Sequence, residues 1–248
     1  VVTPAVRRVV VAIVGVVAAV VATGCQAVVD INVSVASGGT GSVVVSVGLD
    51  DDAVDRLGDP GTALATDDLV AAGWVVTAPE RDDTGLTWVR ASKAFEGSDG
   101  FASVVGEVSG PDGLLAGSAL AVDDGLASVT TTLSAVVDAS AGLVPYTDAG
   151  VTEATGGLPF GGLVEQVEAD TGKAVADLID VSVTVTLGDQ TQQVSVRLGD
   201  APVAVELVDE TWRWRWWMPV AMVGLVAVMV AVAARVRGRR RRRVAPAP

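Results

Sequence analysis

The stretch DINVSVASGGTGSVVVSVGL, residues 30–49, decides the fold class. Its first six residues alternate polar and apolar, so Ile31, Val33 and Val35 share one face of an extended chain. The same period returns through Val43, Val45, Val47 and Leu49. Between the two runs, SGGTG at residues 37–41 supplies a turn. Two period-two segments around a Gly-rich turn predict a β-hairpin with one face on a core.

Working outward, residues 50–57 predict a short helix. Thr66 reads as the N-cap of a second, with Asp67 and Asp68 in its first turn and Gly73 as its stop. Residues 74–77 and 86–95 predict a second hairpin around ERDDTG. Ser98 then caps a helix of one or two turns ending near Val108. Residues 119–123 and 127–138 predict a third hairpin around Asp124 and Gly125. Hairpins alternating with short helices predict an α+β fold, with antiparallel hairpins and short helices packed on one face.

Residues 139–162 are rich in Gly, and GGLPFGG at 156–162 reads as a flexible connection. Leu163, Val164, Val167, Ala174, Val175, Leu178 and Ile179 follow helical spacing. Residues 182–187, 192–198 and 203–207 are strand-like; they complete the sheet or form a second layer.

Charge separates the ends from the middle. All 30 acidic residues lie between Asp30 and Glu210, with only six basic ones in residues 26–211, a net of −24. The other 11 basic residues lie at the two ends, which carry no acid. An acidic middle of this size repels phosphate and excludes nucleic acid as its partner.

The N-terminal end reads as an export signal. Arg7 and Arg8 precede an apolar run at residues 9–22. Fourteen helical residues rise about 21 Å, short of a roughly 30 Å hydrocarbon core, which favours a signal segment over a span. Ala22, Thr23 and Gly24 then precede Cys25, the one cysteine of the chain. Three fates are open to Cys25: lipidation, removal by ordinary signal cleavage nearby, or retention in an uncleaved anchor.

At the other end, residues 216–234 carry no charge and are long enough for one bilayer crossing. Trp212, Trp214, Trp216 and Trp217 cluster at its start, suited to the membrane interface. Pro219 falls in the expected first turn, where its missing N–H costs little. Arg235, Arg237, Arg239, Arg240, Arg241, Arg242 and Arg243 follow and mark a cytoplasmic side. Both ends thus put the acidic part outside the cell. The expected organisation is a signal segment at 1–24, an ectodomain at 25–138, a connection at 139–162, the rest of the ectodomain at 163–211, a membrane helix at 212–234 and a tail at 235–248.

Two resemblances add to this. Ala22-Thr23-Gly24-Cys25 looks like a bacterial lipobox, with Ala22 where Leu is usual. In that class cleavage precedes the cysteine, whose thiol carries a diacylglycerol. The order of the whole chain resembles the LppM-type lipoproteins of actinobacteria. The points of likeness are Cys25 followed directly by the DINVSV hairpin, the Gly73-Trp74 step, the stretch DLIDVSVTVTLGD at 177–189, the Trp-flanked anchor and the arginine tail. The resemblance implies an envelope lipoprotein with an α+β ectodomain and a role with envelope lipids. It offers no catalytic residues.

The residues themselves offer little chemistry. There is no histidine, which removes Ser-His-Asp and Cys-His catalysis and imidazole zinc sites. No P-loop, Gly-x-Gly-x-x-Gly or Gly-x-Ser-x-Gly sequence occurs. Asp50, Asp51, Asp52, Asp55 and Asp59 lack the alternate spacing and central Gly of a calcium loop. Trp74 and Trp88, on facing strands of the second hairpin, read either as core or as the wall of a lipid or glycan pocket. The expectation is a non-enzymatic protein without metal or cofactor. Its partner is membrane lipid, bound in an apolar cavity between sheet and helices, or else another envelope protein.

Overall fold

The computed structural model describes residues 27–57, 60, 66–110, 113–125, 128–141, 168–169, 172, 174, 179–212 and 214–242. The opening hairpin forms as its pattern predicts. Strand β1 (Ala27–Val35) pairs antiparallel with β2 (Thr40–Leu49), setting Ile31 opposite Val45 and Val33 opposite Val43. Every apolar member of the alternating set is buried. Gly39 in the turn takes a φ of +80°, open to glycine without strain. A Cβ there would also lie 2.5 Å from Val122, so the turn seats directly on a distant strand.

Helix α1 (Asp51–Leu57) follows at once, with the Asp50 carboxylate accepting the Ala53 N–H at 2.8 Å. Helix α2 (Thr66–Ala71) stops before Gly73, whose N–H bonds the Val70 carbonyl. Strands β3 (Val75–Val76) and β4 (Glu80–Arg81) both pair with β5 (Thr87–Glu96). Helix α3 (Gly97–Ser109) runs 13 residues, longer than its expected one or two turns. Ser98 does not cap it: Glu96 holds that position, without a side-chain bond. Length comes from burial, since Phe101, Val104 and Val105 repeat at helical spacing into the core.

Strands β6 (Ala119–Asp124) and β7 (Ser128–Val137) form the third hairpin. Of the helix expected across 163–179, Glu168 and Ala169 are helical, while Ile179 opens β8 (Ile179–Leu187) instead. Ile179 obeys both periods, and its strand neighbours claim it. Strands β9 (Gln190–Val196) and β10 (Val203–Trp212) come next, then helix α4 (Trp214–Arg242).

The sheet is not purely antiparallel. Seven strands form one mixed sheet in the order β3-β5-β2-β1-β8-β9, with β4 also on β5. β1 and β8 run parallel, Ile31 opposite Val183 and Val33 opposite Val185. Alternation fixes which face a strand buries and says nothing of its neighbour's direction. β6, β7 and β10 form a separate three-stranded sheet, β10-β7-β6. The late strands are therefore split: β8 and β9 complete the first sheet, and β10 joins the second.

One core joins all of this. Val33 and Val183 from the first sheet, Leu133 and Leu207 from the second, and Phe101 from α3 belong to one buried cluster. Phe95 and Phe101 meet edge to face with ring centroids 5.3 Å apart. Burial of each such side chain is worth about 1.5–3 kcal/mol.

Helix α4 packs on nothing described. Val220, Met222, Val223, Leu225, Val226 and Met229 are all exposed. Among the described residues no helix is long and apolar enough to cross a membrane. The membrane span expected at 212–234 is therefore not found among the described residues. Pro219 also moves: the helix begins at Trp214, which puts Pro219 in the second turn, without the bond an N–H would make to Arg215.

Three substitutions test this packing by urea unfolding. Leu187→Ala, at a fully buried site, costs about 2–5 kcal/mol. Gly41→Ala unfolds the hairpin end, because a Cβ would lie 2.2 Å from the Ser34 carbonyl and 2.5 Å from the Phe95 ring. Gly106→Ala, with nothing within 4 Å, stabilises by about 0.5–1 kcal/mol.

Candidate functional site

The two sequence-predicted tryptophans go to opposite faces of the first sheet. Trp74 is buried on the helix side. Its indole N–H donates to Glu107 at 3.0 Å. Lys93 Nζ donates to the same Glu107 oxygen at 2.6 Å and to the Ala72 carbonyl at 2.8 Å. It also lies 5.9 Å from the Trp74 ring centroid. This cluster ties β5 to α3 and to the end of α2, with the Trp74 indole and the Lys93 ammonium sharing one Glu107 oxygen. It acts as a structural clasp between these elements.

Trp88 stands on the outer face of β5, half-buried. Its ring lies against Gly48, where a Cβ would come within 3.0 Å of it. Its N–H donates to Asp82 Oδ2 at 2.7 Å. The other Asp82 oxygen accepts the Thr84 hydroxyl at 2.6 Å and the backbone N–H groups of Thr84 and Leu86. The Thr84 hydroxyl first, and then the Trp88 indole, hold the Asp82 carboxyl down at about 2. Nearby, Arg81 pairs with both oxygens of Asp51 and lowers that carboxyl too. Of the acidic run, Asp50 thus caps α1 and Asp51 clamps Arg81, while Asp59 lies outside the described residues. Among the described residues no group of three acidic, His or Cys side chains could hold a metal.

The expected apolar cavity between sheet and helices is not where the described structure opens. Phe101, Val104, Val105 and Leu115 are buried there. An open groove of about 640 Å³ lies instead on the outer face, at the end where β1, β2 and β5 meet. Ser34, Ser42 and Ala94 line it as direct cross-strand neighbours, as do Thr40 and Glu96. Ala36 extends its floor, and the Phe95 ring reaches it from beneath, through the space Gly41 leaves. Among the described residues, the side chains of Ser34, Thr40, Ser42 and Glu96 make no internal hydrogen bond or ion pair. Neither Trp74 nor Trp88 lines the groove. Alternation gave the outer face of these strands, but no motif marks the groove. It exists because Gly41 and Ala94 are small where two larger neighbours would have closed it.

The outer face continues the same chemistry. Asn32 neighbours Thr184, and Thr184 neighbours Gln193. Ser182 donates to Asp30 at 2.8 Å. A protein with a strongly acidic middle presents here a field of hydroxyls and amides.

Cys25, Ala22, Thr23, Gly24 and Arg243 lie outside the described residues, as do 142–162 of the expected connection. Trp212 is exposed at the end of β10. Trp214, Trp216, Trp217, Arg235, Arg237, Arg239, Arg240, Arg241 and Arg242 fall within α4, with Arg235 exposed.

No family model matches the chain, and no curated protein does. Among solved structures it is similar to the NMR structure of the folded domain of Mycobacterium tuberculosis LppM. The two share 12% identity over 75% of this chain and 90% of that one, with a TM-score of 0.35. At that level no ligand, residue or role carries over from one chain to the other.

Two measurements probe these clusters. Glu107→Ala strands the Lys93 ammonium and costs about 2–4 kcal/mol, and Lys93→Met with Glu107→Leu recovers most of it. The Asp82 clamp is pH-linked. Its folded pKa is depressed to about 2 from 3.8, so its contribution is complete above 3.8 and is lost as pH falls toward 2. Trp88 fluorescence therefore titrates in that window, and Asp82→Asn removes the transition.

Proposed function

We propose that this chain is a non-enzymatic envelope lipoprotein. A lipid on Cys25 and helix α4 hold it at the outer leaflet, and its ectodomain binds or hands over membrane lipid or lipoglycan. The observation that carries the reading is α4 itself. It follows β10 after one residue and exposes apolar side chains on every side, Val223 at 70% and Met222 at 64%. A helix apolar all round belongs in a bilayer or a protein core, and no described element covers this one. The uncharged run in the sequence, residues 216–234, has about the length of one bilayer crossing. The arginines after it favour a cytoplasmic tail. With the lipobox-like segment at the other end, the domain is tied down twice and stays close to the leaflet.

A second reading has its own support. β10 is at the edge of its sheet among the described residues, with Val203, Val208 and Trp212 exposed along it. Gln190 of β9 covers this edge at the Val208 carbonyl, and the exposed apolar side chains along the rest of it suit a partner surface, which favours an assembly subunit of an envelope complex.

Fractionation separates the two anchors. Cys25→Ser stays with the membrane through α4. A chain ending at Trp212 stays through its lipid. The two changes together release the protein to the soluble fraction. Release by either change alone, or retention with both changes together, contradicts the double tether. Co-purification of a stoichiometric protein in place of lipid favours the second reading.

A further inference from the structure

We propose that the groove at the β1–β2–β5 end is a binding site for a neutral sugar, taken as a single ring or the terminal ring of a glycan. The inference rests on the lipoglycan reading above for its biological setting, and on the groove alone for its chemistry.

Polar groups at the site are unspent. Ser34, Ser42 and Thr40 each bring a hydroxyl, and Glu96 brings a carboxylate, none with an internal side-chain partner among the described residues. The register holds them together: Ser34 is opposite Ser42, and Thr40 opposite Glu96. Directly opposed side chains stand about 5 Å apart. They border one shallow, open depression of about 640 Å³, whose floor is supplied by Ala36, Gly41, Ala94 and the Phe95 ring.

Charge then selects the class of ligand. Glu96 repels phosphate and sulfate, and so does the acidic domain around it. A metal cation finds one carboxylate here and no cluster of ligands. A purely apolar occupant would strip water from four polar side chains and return nothing to them. A neutral polyol answers each group. Its hydroxyls donate to Glu96 and exchange hydrogen bonds with the three hydroxyl side chains. Its C–H face rests on Ala36 and Ala94. The carboxylate is the strongest acceptor in the set, because charge-assisted bonds are about twice as strong as neutral ones.

The hydroxyl and amide field beyond the groove extends the argument. Asn32, Thr184 and Gln193 lie in register across β1, β8 and β9. A glycan longer than one ring has polar partners along the sheet in that direction.

The test uses the full chain in micelles of a detergent without a sugar headgroup. Saturation-transfer NMR is run with the methyl glycosides of glucose, galactose and mannose as probes, and inorganic phosphate as the competitor. At least one glycoside receives saturation, and phosphate does not displace it. Ala94→Leu fills the groove on an exposed position and removes the signal. Glu96→Gln keeps the shape and weakens binding about tenfold. Circular dichroism of both variants matches the parent. Transfer to none of the three sugars, displacement by phosphate, or equal transfer in both variants overturns the site. Fractionation of Ala94→Leu keeps the two readings apart: a protein still at the membrane that no longer binds sugar supports the groove, and leaves the tether standing. Sugar binding by a protein found soluble would overturn the tether and keep the groove.

Discussion

The parallel contact between β1 and β8 is the constraint on which the rest depends. It joins segments about 150 residues apart, and closing so long a loop costs entropy before any contact is made. That cost is offset by burial: Val33, Val183, Val185 and Leu187 are almost wholly removed from water. Once β1 is flanked by β2 on one edge and β8 on the other, its inner face is fixed as the floor of the core. α3 and the second sheet then have one surface to cover. Its outer face is fixed by the same register as a polar plane, and the groove is a property of that plane.

The turn between β1 and β2 carries the second sheet. Thr131, fully buried, donates to the Ser37 carbonyl at 2.7 Å, and the Gly39 carbonyl accepts from Gly97. Gly39 lies under Val122 of β6. The hairpin thus supplies the centre of one sheet and the seat for the other, which explains why its sequence is the most regular in the chain.

Much of the fold was legible because alternation is a local signal. Ile31, Val33, Val35, Val43, Val45, Val47 and Leu49 could be assigned to one face from their spacing alone. Strand direction was not legible, because parallel and antiparallel partners of a half-buried strand leave the same pattern. Ile179 fitted a helix and a strand equally, and only its pairing with Ala27 decides. Trp74 and Trp88 were read onto facing strands of one hairpin, but Trp74 stands just before β3 and turns into the core, while Trp88 lies on the outer face of β5. The groove left no signature, since it is made by small residues and by side chains that have nothing to bind within the protein. The signals read for membrane attachment are the reverse case. They are strong in the sequence, at Cys25 and across 216–234, but Cys25 lies outside the described residues and no span is found among the described ones.

The proposed double tether would hold the folded acidic domain outside the cell, beside the leaflet, with its outer sheet face open to solvent. Labelling intact cells with a membrane-impermeant maleimide tests it most directly. With that topology, Ala94→Cys is labelled in intact cells, and Ala245→Cys in the tail is labelled only after permeabilisation. Labelling of Ala245→Cys in intact cells, with Ala94→Cys protected, would contradict it.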